Sequence, residues 1–218
     1  MKAQRIFRIF VSSTFGDFQE EREALRDRVW PVLREFCRIH GSDFQVVDLR
    51  WGVGESAGLE HETMKICLDE IAHCQRLSPR PNFLILAGDR YGWRPLPPAI
   101  PVAEFEQMLG CFSGAAKTRE FLQQWYRRDN NAAPAEWVLQ PRPADYADWT
   151  PIETRLLKLL RGAAKVLGVT PERRELYFLS ATHLEIIRGA LNTTVADAEQ
   201  HVLAFFRTLE GLPEGEPL

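Results

Sequence analysis

Three short segments of this chain gather hydroxyls, charges and flat aromatic rings, the mixture a polar small-molecule ligand requires. Ser12, Ser13, Thr14 and Asp17 make up the first, Asp48, Arg50, Trp51, Glu55 and Ser56 the second, and Asp89, Arg90, Tyr91 and Trp93 the third. Hydroxyls and backbone donors hold phosphate or ribose oxygens and aromatic faces stack on rings, so the set suits a nucleotide-like ligand. Each residue alone also has a structural reading: Trp51, Tyr91 and Trp93 as aromatics capping a sheet, Ser12 to Asp17 as helix-capping chemistry. The coincidence of three such segments favours a ligand or partner surface. Past the third segment come Glu104 and Glu106, carboxylates able to stabilise or attack an oxocarbenium-like centre. Their alternative role is favourable negative charge at a helix start.

Other chemistries lack their residues. Gly52, Gly54 and Gly58 are spaced GxGxxxG and follow the second apolar run, which is not the dinucleotide fingerprint. His61-Glu62 has no second histidine four residues after the first, so a zinc-hydrolase helix is absent. Neither a phosphate-cradling GxxxxGK[ST] loop nor a GxSxG nucleophile elbow occurs.

The three segments need elements to converge them. Arg5 to Ser12 (RIFRIFVS) is apolar, β-rich and short, the pattern of a buried first strand. Asp17 with Glu20 three positions on signals an acidic cap for a helix from about Asp17 to Ile39. Leu25, Val29, Leu33 and Phe36 should be its buried stripe, with a kink or break at Pro31. Phe44–Leu49 and Asn82–Ala87 read as the second and third strands, with a helix over Glu60–Cys74 between them. Strand, helix, strand, helix, strand at this spacing implies right-handed crossovers and a parallel sheet. In such a sheet, ligands gather at the carboxyl ends of the strands, where all three polar segments fall.

After the proline-dense run Pro95–Pro101, helices are expected over about 103–111, 118–128 and 152–167, with a polar linker from Asn130 to Trp149. This block, about 103–167, reads as a helical insertion. Leu176–Leu179 should resume the sheet, Thr182 and Glu185 should form a capping box for a helix to Leu191, and His201–Leu209 should be a final strand. The expected fold is α/β: an open parallel sheet of about five strands with helices on both faces. It should occupy residues 1–210, with 211–218 as a linker.

Composition narrows the class further. With 218 residues and 45% hydrophobic content the chain can bury a full core. The 27 Lys+Arg against 30 Asp+Glu give a net charge of −3, so no global basic field attracts nucleic acid. Cys37, Cys67, Cys74 and Cys111 lack CxxC spacing and histidine partners, and they read as reduced thiols. No secretory leader is expected, and no apolar run approaches the ~20 residues of a membrane span. A cytoplasmic location without metal or resident cofactor is expected.

The runs Phe10-Val11-Ser12-Ser13-Thr14-Phe15-Gly16-Asp17, Glu21-Arg22, Val29-Trp30-Pro31-Val32-Leu33, Val47-Asp48-Leu49-Arg50-Trp51-Gly52-Val53 and Gly88-Asp89-Arg90-Tyr91-Gly92-Trp93-Arg94-Pro95 carry a resemblance. In this order, with Thr182-His183-Leu184-Glu185-Ile186 and Phe205-Phe206-Arg207 later, the chain resembles the TIR-like domain of uncharacterised function found ahead of NACHT or other STAND-type ATPase modules. Bacterial defence proteins and the telomerase-associated vault protein carry such domains. The resemblance implies a flavodoxin-like, TIR-related sheet and a linker after Gly211 leading to an ATPase module, through which the protein self-associates. TIR domains use the loops after the first and second strands for ligand contact and assembly, here Ser12–Asp17 and Trp51–Ser56. Active TIR domains cleave NAD at the nicotinamide glycosidic bond with a glutamate on the helix after the third strand, which by position is Glu104, with Glu106 in reserve. NAD would then be the substrate: Trp51 or Tyr91 would stack on a ring, and Ser12, Ser13 and Arg50 would hold phosphate or ribose. In those enzymes the glutamate follows soon after a Ser/Trp-Cys segment, whereas Pro95–Pro101 intervenes here. The implied alternative is a non-catalytic module for homotypic assembly or for recognition of a partner or nucleotide.

Overall fold

The computed structural model describes residues 5–49, 63–142, 149–192, 199–208 and 210. Arg50, Trp51, the 52–58 glycine loop and the 211–218 linker lie outside these residues. The chain divides into two compact units, one from Met1–Val53, Met64–Trp93 and Ser180–Leu218, the other from Gly54–Thr63 and Arg94–Leu179.

The first unit is a parallel α/β sheet consistent with the flavodoxin-like expectation. Its strands are β1 (Arg5–Ser12), β2 (Ser42–Val47), β3 (Phe83–Ala87) and β7 (Val202–Phe206), in the order β2-β1-β3-β7, and all pairings are parallel. Alternation along β1 sends Ile9 and Val11 to one face and Phe10 to the other. The first face packs on Phe18, just ahead of α1 (Gln19–Ala24), and on α2 (Trp30–Ile39), whose Trp30 and Cys37 join Ile9, Val11, Leu84 and Leu86. The second packs on α3 (Thr63–Leu77) and on the helical segment starting at Ala181, where Cys67, Ile71, Cys74 and Ala190 meet Phe10, Phe83 and Ile85. Strands covered on both faces cannot show polar alternation, and β1 and β3 accordingly read as continuous apolar runs.

Pro31 does not break its helix. The preceding turn, Leu25–Val29, widens to a π-helix in which the Trp30 amide reaches back five residues to the Leu25 carbonyl. A proline ring must clear the carbonyl four residues earlier, and a wider turn provides that room. The extra residue also shifts the phase of the buried stripe. Trp30 and Cys37 are buried where Val29 and Phe36 were expected; the last two are 39% and 59% exposed.

The helix start differs as well. Phe18, at φ 56°, precedes α1 with no side-chain cap, while the Asp17 carboxylate accepts from the Phe18 amide at 2.9 Å and pairs with Arg207. The Arg207 guanidinium also lies 4.2 Å over the Phe18 ring.

Among the described residues the sheet has four strands rather than about five, because Leu176–Leu179 lies at and just past the end of a helix, α7 (Pro171–Phe178). Thr170 caps it, accepting from the Arg173 amide at 3.4 Å, and Pro171 occupies its first turn, a start signal that overrides the short apolar run. The capping box at Thr182 and Glu185 is likewise replaced. Ser180 caps α8 (Ala181–Ile186) by accepting from the His183 amide at 3.2 Å, which leaves Glu185 free to turn inward.

The second unit carries β4 (Ala99–Pro101), β5 (Tyr126–Asp129) and β6 (Glu136–Leu139) as an antiparallel sheet ordered β4-β6-β5, beside α4 (Val102–Gly110), α5 (Ala116–Trp125), α6 (Thr150–Leu167) and α7. Ile100, Phe105, Met108, Leu122, Leu156 and Leu160 are fully buried in its own core. The polar linker expected from Asn130 therefore contains β6. Strands of three or four residues are too short to show a period.

Candidate functional site

The ends of β1 and β2 are joined by a guanidinium. Arg22, one turn into the first helix and 4% exposed, donates from Nε to Ser13 Oγ at 2.8 Å and from Nη2 to the same oxygen at 2.6 Å. Its Nη1 pairs with Asp48 just past β2, and its Nη2 lies 3.5 Å from the Val11 carbonyl. Ser12 turns the other way and donates to Glu185 Oε2 at 2.5 Å, both groups buried. Burial pushes the Glu185 carboxyl above the usual glutamate range, opposed by hydrogen bonds from Ser12 and Cys67 and by the charge of Arg22. Burial, reinforced by Glu185, pushes the Cys67 thiol up as well. Ser12, Ser13, Arg22, Asp48 and Glu185 thus form a polar lock of two bonded groups, Ser13 with Arg22 and Asp48, and Ser12 with Glu185.

One residue further along, the chain opens a cleft of about 150 Å³. Thr14 walls it from the β1 loop, Arg90 and Tyr91 from the β3 loop, and Ser180, Thr182 and His183 from the start of α8. The Tyr91 hydroxyl and His183 Nδ1 are 2.8 Å apart, their rings edge to face with centroids at 5.8 Å. Arg90 Nη1 donates to the Gly16 carbonyl at 3.2 Å. Gly92 takes φ +87°, and a Cβ there would lie 2.8 Å from Thr14 Cγ2, so both the turn and the close approach require glycine. Thr14 is 7% exposed, and its Oγ1 is buried without a hydrogen-bond partner among the described residues.

Topology explains the location. Chain leaving β1 turns to β2 on one side of it, while β3 and then β7 lie on the other side. Connections that diverge in this way leave a crevice outside the carboxyl ends of the two central strands.

The residues singled out in the sequence fall into separate places. Ser12, Ser13 and Asp48 belong to the lock, Thr14 and Tyr91 to the cleft, and Asp17 to the pair with Arg207. Asp89 and Trp93 are exposed on the β3 loop, and the Trp93 carbonyl accepts from the Ala181 amide at 2.9 Å. Glu104 and Glu106 belong to the second unit. Arg173 holds Glu104 with both arms, Nε to Oε2 at 2.8 Å and Nη2 to Oε1 at 3.1 Å, and the Tyr177 hydroxyl donates to the same carboxylate. Glu106 is largely exposed and stands 3.5 Å from Arg128.

Arg22, His183 and Glu185 were not singled out as site residues. Arg22 sat in a charged run that reads as a solvated helix face, and His183 and Glu185 in a run that reads as a cap. Among the described residues no cluster of three His, Cys, Asp or Glu could hold a metal ion, and no helix is long and apolar enough to cross a membrane.

Comparison with known proteins assigns the stretch that carries most of these residues. Residues 8–109 match the domain of unknown function DUF4062. The DUF4062 stretch runs from β1 through most of α4; it includes Thr14, Arg22, Asp48 and Tyr91 but stops short of His183 and Glu185. The chain is 34% identical over 196 residues to NACHT domain- and WD repeat-containing protein 1 of Mus musculus, covering 88% of this chain and 12% of that protein. It is 35% identical over 182 residues to NACHT and WD repeat domain-containing protein 2 of Homo sapiens, covering 76% and 10%. Telomerase protein component 1 of Rattus norvegicus is 29% identical over 136 residues, covering 62% and 5%. The chain therefore spans only about an eighth or less of the length of these relatives. No solved structure matches it.

Proposed function

We propose that this domain is a ligand-recognition module that precedes a NACHT-type ATPase module in a longer cytoplasmic protein and controls its self-association. The observation that carries this reading is the cleft between the β1 and β3 loops, lined by Thr14, whose buried hydroxyl has no partner among the described residues. A buried hydroxyl without a partner costs about 1–3 kcal/mol, a cost that a ligand accepting or donating there would remove. The NACHT-containing names of the relatives support the position ahead of an ATPase, and the motif order supports a TIR-like kinship. The test is made in the full-length protein, where Thr14→Val and Tyr91→Phe should abolish triggered assembly in light scattering while leaving the folded domain intact. Assembly unchanged in both variants would overturn the reading.

A second reading, hydrolysis of NAD, draws on the TIR-like resemblance and on one local feature. Glu104 is held rigidly in the first turn of α4 by Arg173 and Tyr177, as a reacting carboxylate must be held. A water oxygen would bond to ribose C1′ as the C1′–N bond breaks and its electron pair leaves with neutral nicotinamide, giving nicotinamide, ADP-ribose and a released proton. Release of nicotinamide by the assembled protein, lost in Glu104→Gln and kept in Glu106→Gln, is the expected result. An assembled protein that releases none would eliminate hydrolysis and leave recognition standing.

A further inference from the structure

We infer that the cleft bounded by Thr14, Arg90, Tyr91 and His183 is a site for the phosphate group of a small phosphomonoester, such as a sugar phosphate or a nucleoside monophosphate. This deepens the recognition reading and rests on it.

Size is the first argument. Pockets that enclose whole small molecules are ~300–1,000 Å³, and a cleft of about 150 Å³ takes one group of a ligand and leaves the remainder outside. The group that enters must therefore supply most of the recognition.

The wall chemistry selects its charge. Among the described residues no acidic residue lines the cleft, while an arginine, a histidine and four hydroxyl-bearing residues, Thr14, Tyr91, Ser180 and Thr182, do. Arg90 is exposed and has no ion-pair partner among the described residues; its one hydrogen bond, to the Gly16 carbonyl, uses Nη1 and leaves the guanidinium charge uncompensated. The nearby Asp17 carboxylate pairs with Arg207, which also pairs with Glu21, and among the described residues it makes no ion pair with Arg90. A cation of this kind beside several hydroxyls favours an anion over a metal ion or a neutral ring.

The number and arrangement of donors then favour phosphate over carboxylate. A carboxylate presents two oxygens in one plane, which a single guanidinium fork satisfies. A phosphomonoester presents three terminal oxygens in a tetrahedron, which need donors from separate directions. The cleft offers them from three chain segments: Thr14 after β1, Arg90 after β3, and His183 with Thr182 at the start of α8. Thr14 supplies the independent sign of a missing partner, since the residue is more than nine-tenths buried and its hydroxyl is unbonded among the described residues. Tyr91, held to His183 at 2.8 Å, orients the imidazole toward a fixed position. Gly92 keeps Thr14 and Thr182 close by admitting no side chain between them, its virtual Cβ meeting Thr14 Cγ2 at 2.8 Å and Thr182 Oγ1 at 3.6 Å.

The experiment is a titration of the 218-residue chain with histidine labelled for NMR. Its five histidines make the imidazole signal of His183 assignable by a single His183→Gln variant. The probes are inorganic phosphate, ribose 5-phosphate against ribose, AMP against adenosine, and acetate, all at constant ionic strength. The inference expects saturable movement of the His183 signal with phosphate and with both phosphomonoesters, and none with ribose, adenosine or acetate. The phosphomonoester that binds more tightly identifies the source of the group. Arg90→Ala should weaken the response at least tenfold and Arg90→Lys by less, with the other four histidines still in both. No movement of His183, equal movement of all five histidines, or a response indifferent to Arg90→Ala would each overturn it. If the phosphate class fails while Thr14→Val still abolishes assembly of the full-length protein, recognition survives with a different ligand; if neither responds, both fall.

Discussion

Ser13 and Thr14 are adjacent in the chain and belong to opposite kinds of polar structure. The Ser13 hydroxyl accepts two bonds from Arg22, whose charge is also met by Asp48, so these groups at the ends of β1 and β2 are partnered. The Thr14 hydroxyl, also buried, has no partner among the described residues, and Thr14 lines the cleft. Hydroxyl residues one position apart thus divide into one bonded within the fold and one without a partner among the described residues. The difference arises from what faces them: a helix carrying Arg22 over one, the β3 loop and the start of α8 around the other.

The largest effect should come from breaking the lock. Arg22→Ala strands Asp48 and Ser13 in a nearly dry environment and should cost about 3–5 kcal/mol of stability, read from urea unfolding. A loss under 1 kcal/mol would mean that water reaches these groups and that the lock is not closed. Gly92→Ala should come next, at about 1–2 kcal/mol, because alanine is strained at φ +87° and its methyl meets Thr14. The same variant should narrow the cleft, so ligand response and stability should fall together; an unchanged melting temperature would contradict the turn geometry.

The pH dependence sharpens the comparison from the lock side. Because burial raises the Glu185 carboxyl above its ordinary value, the native state keeps a proton that the unfolded chain releases. This contribution is complete below the ordinary glutamate value of about 4.3 and is lost as pH rises through the raised folded value. Stability of the natural chain should fall across that window by at most about 1.4 kcal/mol per pH unit, and Glu185→Gln should flatten the fall. Parallel curves for the two proteins would remove Glu185 as the cause. The smallest effect belongs to the cleft: Arg90→Ala, at an exposed position, should change stability by no more than about 0.5 kcal/mol while the ligand response is lost. A large loss of stability would place Arg90 with the lock instead.

Much of the parallel sheet was legible because its signals are local. β1 and β3 are apolar runs bounded by polar loops, and the spacing of strands and helices fixed a parallel α/β architecture. The buried stripe of the first helix was misplaced by one residue because the cause, a π turn ahead of Pro31, is a backbone response that a 3.6-residue period does not contain. The second unit's antiparallel strands escaped because three or four residues carry no period. At the site, Ser12, Ser13, Thr14, Asp48 and Tyr91 were legible as polar residues at strand ends. Arg22 and Glu185 were not, since a charged residue on an amphipathic helix reads as exposed unless something buried needs it.

The sequence by itself determined which segments end in polar loops, because strand propensity and the run of apolar residues are properties of neighbours in the chain. Only the tertiary structure decided which of those polar groups answer one another. Ser12 and Glu185 are 173 residues apart, and Tyr91 and His183 are 92 apart. Whether a hydroxyl finds its partner depends on distances of about 3 Å between such remote segments, and no local pattern encodes them. The strand-end face that composition marked as polar is thereby resolved into a closed lock beneath β1 and β2 and an open cleft between β1 and β3.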